Sequence, residues 1–251
     1  MKIFLLATLS IILATTVLLG NVNWYKQKKD VISKISTYEF NTASKEDYLY
    51  FATNWPNKAQ EQFKMKLQKN EVFRILLVGS KAIGNLNTGL LPSVKDSIQN
   101  SFDSHVTIDT IMYDGTSSNF VLNNETKKII DQSPDMIILE PFLLADNNVL
   151  QIKTTLTNIS TIIEDTQGVL PNSTFILQPA NQIYNASLYP RQVAALKEFA
   201  TLNNITYLNH WENWPKGDST DVLNYINQDD TPNKKGYEIW SSYITDFLIK
   251  K

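Results

Sequence analysis

A serine, a histidine and two aspartates stand at places in the sequence where they could do chemistry together. Ser80 comes directly after an apolar run and a glycine, His210 comes after a later apolar run, and Asp229 and Asp230 lie in the C-terminal part of the chain. A serine hydroxyl can act as a nucleophile when a histidine takes its proton and a carboxylate orients that histidine. These residue types predict hydrolysis or transfer of an acyl group, with Ser80, His210 and Asp230 as catalytic residues.

Each of these residues also has a plainer interpretation. Serine often caps the turn or helix that follows a strand, so Ser80 could have only that role. His210 is followed by tryptophans in the sequence, and such a histidine is commonly packed and hydrogen-bonded in the core. The two aspartates could be solvated turn residues. The sequence leaves both interpretations open.

Five short apolar segments predict the strands that position these residues. Most of them end at Gly, Asp, Pro or Asn, which is typical of buried parallel strands followed by loops. Segments long enough for helices lie between them, so the chain is predicted to form an α/β fold, a three-layer α/β/α sandwich with a five-stranded parallel sheet. The predicted strands are 73–78, 106–112, 136–140, 174–178 and 205–208, and the predicted helices are 58–69, 90–102, 118–132, 148–166, 188–203 and 237–248.

Sites in open parallel sheets form beyond the carboxyl ends of the strands. Ser80 and His210 both follow predicted strands, so we expect both at that edge of the sheet. His105 opens the second predicted strand, at the opposite edge, and is predicted to be structural.

The composition excludes several classes of function. The chain has 251 residues, no cysteine, two histidines and a formal net charge of −2. The absence of cysteine excludes disulfides, thiolate metal sites and a cysteine nucleophile. The near-neutral charge provides no general attraction to nucleic acid. Nothing in the sequence calls for a metal or a cofactor.

The N-terminal segment predicts attachment to a membrane. Residues 3–20 are uncharged and apolar, and they are followed by Trp24, Tyr25 and a lysine cluster. About 18 apolar residues are close to the minimum that spans a bilayer, and Trp and Tyr suit its interface. A cleaved signal peptide is the alternative. The predicted organisation is an anchor at 1–29, a stalk and lead-in helix at 30–70, and a catalytic-type domain at 71–251.

Several motifs along the chain together resemble the SGNH/GDSL hydrolase family, in particular a branch from Gram-positive bacteria with an N-terminal membrane segment. Each motif alone is weak, but their order along five predicted strands is specific, and the resemblance covers about residues 72–250. It implies an exported, membrane-tethered protein, whereas the positive-inside rule taken alone would keep the domain in the cytoplasm, because the larger lysine cluster follows the apolar segment. The motifs are Val78-Gly79-Ser80, Asp114-Gly115-Thr116-Ser117, Pro134 to Pro141 with Leu144 to Asn147, Tyr207 to Trp211, and Pro232-Asn233-x-x-Gly236.

The resemblance also shows that the catalytic positions are substituted. The family's first block reads Gly-Asp-Ser, and its nucleophile position is Lys81 here. Its last block reads Asp-x-x-His-Pro-Asn, and the Asp and His positions hold Gln228 and Thr231. A nucleophile at Ser80 and a base at His210 would therefore be displaced catalytic residues.

The resemblance implies two oxyanion donors. Gly115 matches the glycine whose backbone N–H faces the ligand, although Asp-Gly is also a common turn. Asn147 could supply the family's asparagine side chain, or it could cap a helix beginning near residue 148.

The sequence is compatible with two candidate functions. The first is an ester hydrolase or acyltransferase of the cell envelope that acts on a carbohydrate, and the second is an inactive relative that binds a glycan or a protein partner. Aromatic rings on or near the site loops are compatible with stacking on sugars, although core packing is the default. They are Tyr184, Tyr189, Tyr207, Trp211 and Trp214.

Overall fold

The five apolar segments form one parallel sheet in a computed structural model of the chain, which describes residues 44–251. The strands are β1 (Phe73–Gly79), β2 (Val106–Met112), β3 (Met136–Leu139), β4 (Thr174–Leu177) and β5 (Thr206–Tyr207). Their order in the sheet is β2-β1-β3-β4-β5 and every neighbouring pair is parallel, which confirms the predicted five-stranded parallel sheet.

The register brings the carboxyl ends of the central strands to the same level. Val78 pairs with Leu139, which in turn pairs with Leu177. The residues that follow these strands are therefore neighbours along one edge of the sheet. Glu140 N–H donates to the Val78 carbonyl, and Gln178 N–H donates to the Leu139 carbonyl.

Helices cover both faces of the sheet, since β3 and β4 are buried along their whole length. The helices are α1 (Lys45–Phe51), α2 (Asn57–Lys69), α3 (Leu91–Phe102), α4 (Ser117–Leu122), α5 (Thr126–Gln132), α6 (Leu143–Asp146), α7 (Ile152–Val169), α8 (Tyr189–Leu202) and α9 (Lys234–Leu248). On one side α3 packs against β2 and α9, and on the other α7 packs against α4, α5 and α8.

The helix predicted at 118–132 is two helices. Asn124 has a φ of 55° and lies between α4 and α5. Asparagine tolerates this left-handed conformation, and it interrupts the helical path. The apolar periodicity continues across this break, so the sequence predicted one helix where the structure has two.

The domain begins earlier than predicted. The compact unit spans Lys45–Lys251, so the segment expected as stalk and lead-in helix contributes to the core from residue 45 onward. Trp55, Phe63 and Leu67 are 2% exposed or less, and the Trp55 ring lies 5.0 Å from the Phe73 ring of β1. The predicted boundary at residue 71 is wrong because these apolar side chains cover the first strand.

The predicted membrane anchor lies outside the described residues. Within residues 44–251, no helix combines the length and the apolar character that crossing a bilayer requires.

Candidate functional site

A cavity of about 380 Å³ opens at the carboxyl edge of the sheet. It contains the predicted residues Ser80, Gly115, Asn147 and Asp230, and it does not contain His210. Cavities of about 340 and 400 Å³ elsewhere contain none of the predicted site residues. The lining residues are Ser80, Lys81, Ala82, Asp114, Gly115, Thr116, Leu144, Ala145, Asn147, Ile183, Asp229, Asp230 and Thr231.

Ser80 acts as a cap in this structure. Its Oγ accepts a hydrogen bond of 3.2 Å from Ala82 N–H, at the start of a 3₁₀ turn formed by Lys81–Ile83. Only 3% of Ser80 is exposed, and no hydrogen bond joins it to a histidine within residues 44–251. The structure therefore supports the capping interpretation and provides no base for a nucleophilic Ser80.

Lys81 and the C-terminal loop meet across the cavity. Lys81 Nζ lies 4.0 Å from Asp229 Oδ2, and both side chains are more than half exposed. Asp229 Oδ1 accepts hydrogen bonds from Thr231 Oγ1 at 2.6 Å and from Thr231 N–H at 3.2 Å. These hydrogen bonds, with a smaller contribution from Lys81, lower the pKa of Asp229 below its usual range. The three residues form a connected polar row along one wall.

The loop that carries this row is anchored at several points. Asp230 has a φ of 63°, and its carbonyl oxygen accepts a hydrogen bond of 2.8 Å from Asn181 Nδ2. Its side chain is exposed and contacts no histidine, so it is not the orienting carboxylate that the sequence predicted. Asn233 then caps α9, where its Oδ1 accepts from Lys235 N–H and Gly236 N–H. The Pro232-Asn233-x-x-Gly236 motif is thus a helix start that sets the position of Thr231.

His210 is a core residue and not the predicted base. Its ring is fully buried and stacks on Trp240 of α9, with centroids 4.3 Å apart and an interplanar angle of 8°. Nε2 donates to the Pro179 carbonyl oxygen at 2.9 Å. Burial lowers the pKa of His210 to about 3, so the ring is neutral at physiological pH. A side chain so enclosed cannot take a proton from a group in the cavity.

Gly115 and Asn147 both reach the cavity, as the sequence predicted. A Cβ on Gly115 would lie 2.7 Å from the Tyr113 ring, so a larger residue there would displace that ring. Asn147 ends α6 and does not cap the next helix, which starts at Ile152 behind Gln151. The capping alternative for Asn147 is therefore wrong.

Asp146 holds the two loops that carry these donors. It is fully buried and accepts hydrogen bonds from Ser117 N–H (2.8 Å), Ser117 Oγ (2.5 Å) and Thr155 Oγ1 (2.6 Å). It thereby ties the start of α4 to α6 and α7. The sequence predicted no role for Asp146, and the available signal was an acidic residue directly after the apolar run Leu143-Leu144-Ala145.

Several solved structures with this architecture are described as lipases or acetyl esterases. A GDSL-like lipase from Parabacteroides merdae superposes with a TM-score of 0.59 at 10% identity, covering 70% of this chain and 95% of the lipase. A lipase/acylhydrolase from Enterococcus faecalis has a TM-score of 0.55 at 16% identity, with coverage of 71% and 98%. An acetylxylan esterase from Geobacillus stearothermophilus, solved as a catalytic mutant, has a TM-score of 0.53 at 12% identity, with coverage of 70% and 94%.

The chain has the SGNH/GDSL hydrolase fold. No family model matches its sequence, and no curated protein matches it either. The structural likeness therefore supports the fold predicted from the motifs, while the activity has to be argued from the cavity.

Glu140 is a buried carboxyl group directly beneath the cavity of this SGNH fold. Its Oε2 accepts a hydrogen bond of 2.7 Å from Ser80 N–H, and its Oε1 is buried without a hydrogen-bond partner in residues 44–251. The carboxyl passes so close to β1 that a Cβ on Gly79 would lie 2.9 Å from Glu140 Cβ. Sequence reasoning missed Glu140, although a charged residue directly after four apolar strand residues was a usable signal.

The ionisation of Glu140 should make the protein less stable as pH rises. Burial raises the pKa of Glu140, and hydrogen bonds from Ser80 oppose that rise only in part. The folded state therefore keeps a proton that the unfolded state releases at lower pH. The stabilisation is complete below the usual carboxyl pKa and is lost as pH rises toward the raised pKa of the folded state.

Glu140→Gln should remove this pH dependence. We expect the free energy of unfolding of the variant, relative to wild type, to increase as pH rises above the usual carboxyl pKa, by at most about 1.4 kcal/mol per pH unit. Urea unfolding at several pH values measures it. Glu238→Gln, which changes an exposed glutamate on α9, is the matched control and should follow the wild type. A difference between Glu140→Gln and wild type that stays constant with pH would contradict the assignment.

Proposed function

We propose that this protein binds a carbohydrate in the cavity and does not hydrolyse esters. The observation that carries the proposal is the row Lys81, Asp229 and Thr231. These residues occupy the cavity wall where the sequence resemblance places the nucleophile and the base, and they contact one another. Lys81 has no hydroxyl to serve as the serine nucleophile, and Thr231 has no basic ring nitrogen to serve as the histidine base.

The displaced residues do not repair this loss. Ser80 is held as a cap, and His210 is buried against Trp240. The requirement for a nucleophile within hydrogen-bond reach of a base is therefore not met by Ser80 and His210.

Polar lining and one exposed aromatic ring support a carbohydrate ligand. Thr116 and Asp230 line the cavity, and their hydroxyl and carboxylate groups can form hydrogen bonds with sugar hydroxyls. Tyr184 follows the lining residue Ile183 and is 39% exposed, whereas Tyr189 and Trp214 belong to the core. Tyr184 is the ring of this group best placed to stack on a sugar, and the structurally similar acetylxylan esterase acts on an acetylated polysaccharide by its name.

Hydrolysis or transfer of acyl groups on a carbohydrate is the second candidate. The observations that favour it are the position of Ser80 in the cavity lining and the activities named for the similar structures. Such an enzyme would need a rearrangement of the loops that brings a base to Ser80.

We further propose that the protein works at the outer face of the cell membrane, tethered by residues 3–20. The length and apolar character of that segment and its flanking aromatic residues support the tether, and the resemblance to an exported branch of the family supports the outer face.

Turnover and binding measured together separate the two candidates. We expect wild type, Ser80→Ala and His210→Ala all to hydrolyse p-nitrophenyl acetate and acetylated xylo-oligosaccharides no faster than buffer. We expect wild type to bind oligosaccharides measurably by calorimetry, and Tyr184→Ala to weaken binding by roughly 2- to 12-fold, the worth of one aromatic contact. Tyr50→Ala, which removes a ring 51% exposed on α1, is the control. Turnover by wild type that Ser80→Ala abolishes would favour the enzyme.

A further inference from the structure

Three N–H groups at the cavity have no hydrogen-bond acceptor. Within residues 44–251, neither the backbone N–H of Lys81 nor that of Gly115 donates to any group. Asn147 Oδ1 is buried without a partner, and its Nδ2 makes no hydrogen bond in the same part of the chain. All three residues line the cavity. The cavity therefore retains donors for a ligand oxygen although the groups for acyl transfer are absent.

A positive charge lines the same cavity as these donors. The Lys81 side chain is 53% exposed, and its nearest anionic oxygen in the described domain, Asp229 Oδ2, lies 4.0 Å away. That distance is longer than a charge-assisted hydrogen bond, which measures about 2.7 to 2.9 Å. The ammonium group can therefore form a shorter contact with an anionic ligand.

Asp229 limits how strongly such a ligand can bind. Two hydrogen bonds from Thr231 hold its Oδ1, so the carboxylate stays beside Lys81 and competes for it. Asp114 and Asp230 are exposed, and water and salt screen charges at such positions. Asp229 is thus the negative charge that most directly opposes an anion at Lys81.

An ammonium group in the same cavity as unpaired N–H donors favours a carboxylate over a neutral ester. A carboxylate offers two charged acceptor oxygens, and hydrogen bonds to charged acceptors are stronger than those to neutral ones. We propose that the cavity recognises the carboxylate of an acidic sugar, held by the Lys81 ammonium and by the N–H groups of Lys81, Gly115 and Asn147. This inference rests on the proposed carbohydrate-binding function and names the group that is recognised.

Matched acidic and neutral ligands test the inference. Calorimetry would compare trigalacturonate with its trimethyl ester, and NMR titration would compare acetate with methyl acetate. We expect wild type to bind the acid about tenfold or more tightly than the ester. Lys81→Met should remove the preference, Asp229→Asn should increase it, and Lys69→Met, an exposed lysine at the end of α2, should leave it unchanged.

The possible outcomes separate the inference from the proposed function. Equal affinity for trigalacturonate and its ester, unchanged in Lys81→Met, would overturn the carboxylate site and leave carbohydrate binding intact. Acetate binding that depends on Lys81, with no binding of either saccharide, would support the carboxylate site and remove the carbohydrate proposal. No Lys81-dependent binding of any of the four ligands would overturn the inference. Circular dichroism of each variant confirms that the fold is retained.

Discussion

Restoring the three substituted positions together, Lys81→Ser, Gln228→Asp and Thr231→His, is expected to create measurable ester hydrolysis. Lys81 and Thr231 line the same cavity as Gly115 and Asn147, the predicted oxyanion donors. The triple variant would combine a nucleophile, a base and an orienting carboxylate with these predicted donors. General acid–base catalysis contributes roughly 10² to 10⁴ in rate, so we expect turnover of p-nitrophenyl acetate to exceed wild type by about that factor.

A double variant, Lys81→Ser with Gln228→Asp, is the control for this gain. It has the hydroxyl and the carboxylate but no histidine in the cavity, so it should remain near the wild-type rate. Equal activity of the double and triple variants would show that the histidine position does not serve the cavity. Wild-type turnover as high as that of the triple variant would contradict the proposed loss of catalysis.

A fragment that begins at residue 71 is expected not to fold. It lacks α1 and α2, whose side chains Tyr48, Trp55, Phe63 and Leu67 are at most 4% exposed. Burial of each large apolar side chain contributes about 1.5 to 3 kcal/mol. The sum is comparable with the whole stability of an ordinary domain, about 5 to 15 kcal/mol. Urea unfolding of the 71–251 fragment should therefore show no cooperative transition.

The fragment 45–251 is the matched control and should unfold cooperatively, because it spans the compact unit. A cooperative transition in the 71–251 fragment at the same urea midpoint would show that the N-terminal helices are dispensable. The substitution Trp55→Ala in the 45–251 fragment is a smaller change and should give a stability between those of the two fragments. It removes the ring that contacts Phe63 and Phe73, and large-to-small core changes of this kind cost about 3 to 5 kcal/mol.

The sheet and its functional edge could be predicted from the sequence. Short apolar runs separated by helix-length segments leave few arrangements other than a parallel sheet with covered faces. The predicted and observed strands agree to within one or two residues, because each run ends where polar or turn-forming residues begin. Residues after the strands were therefore expected at one edge, and Ser80, Gly115 and Asn147 do line the same cavity.

The roles of Ser80 and His210 depended on contacts that no local pattern contains. Being at the correct edge of the sheet does not decide which way a side chain points. His210 is enclosed by Trp240, a residue on the C-terminal helix 30 positions later in the chain. Ser80 Oγ is held by a backbone N–H of its own turn. Packing between distant elements therefore removed the predicted base from the site.

The sequence by itself determined the order of strands and helices, the edge where a site would form, and the presence of Lys81, Gln228 and Thr231 where the resemblance places catalytic residues. Only the tertiary structure decided that residues 45–70 belong to the core, that Glu140 is buried beneath Ser80, and that Lys81 faces Asp229. The physical reason is the range of the interactions. Apolar periodicity and turn residues act over neighbouring positions, whereas burial, charge pairing and unpaired donors arise between segments that only the folded chain brings together.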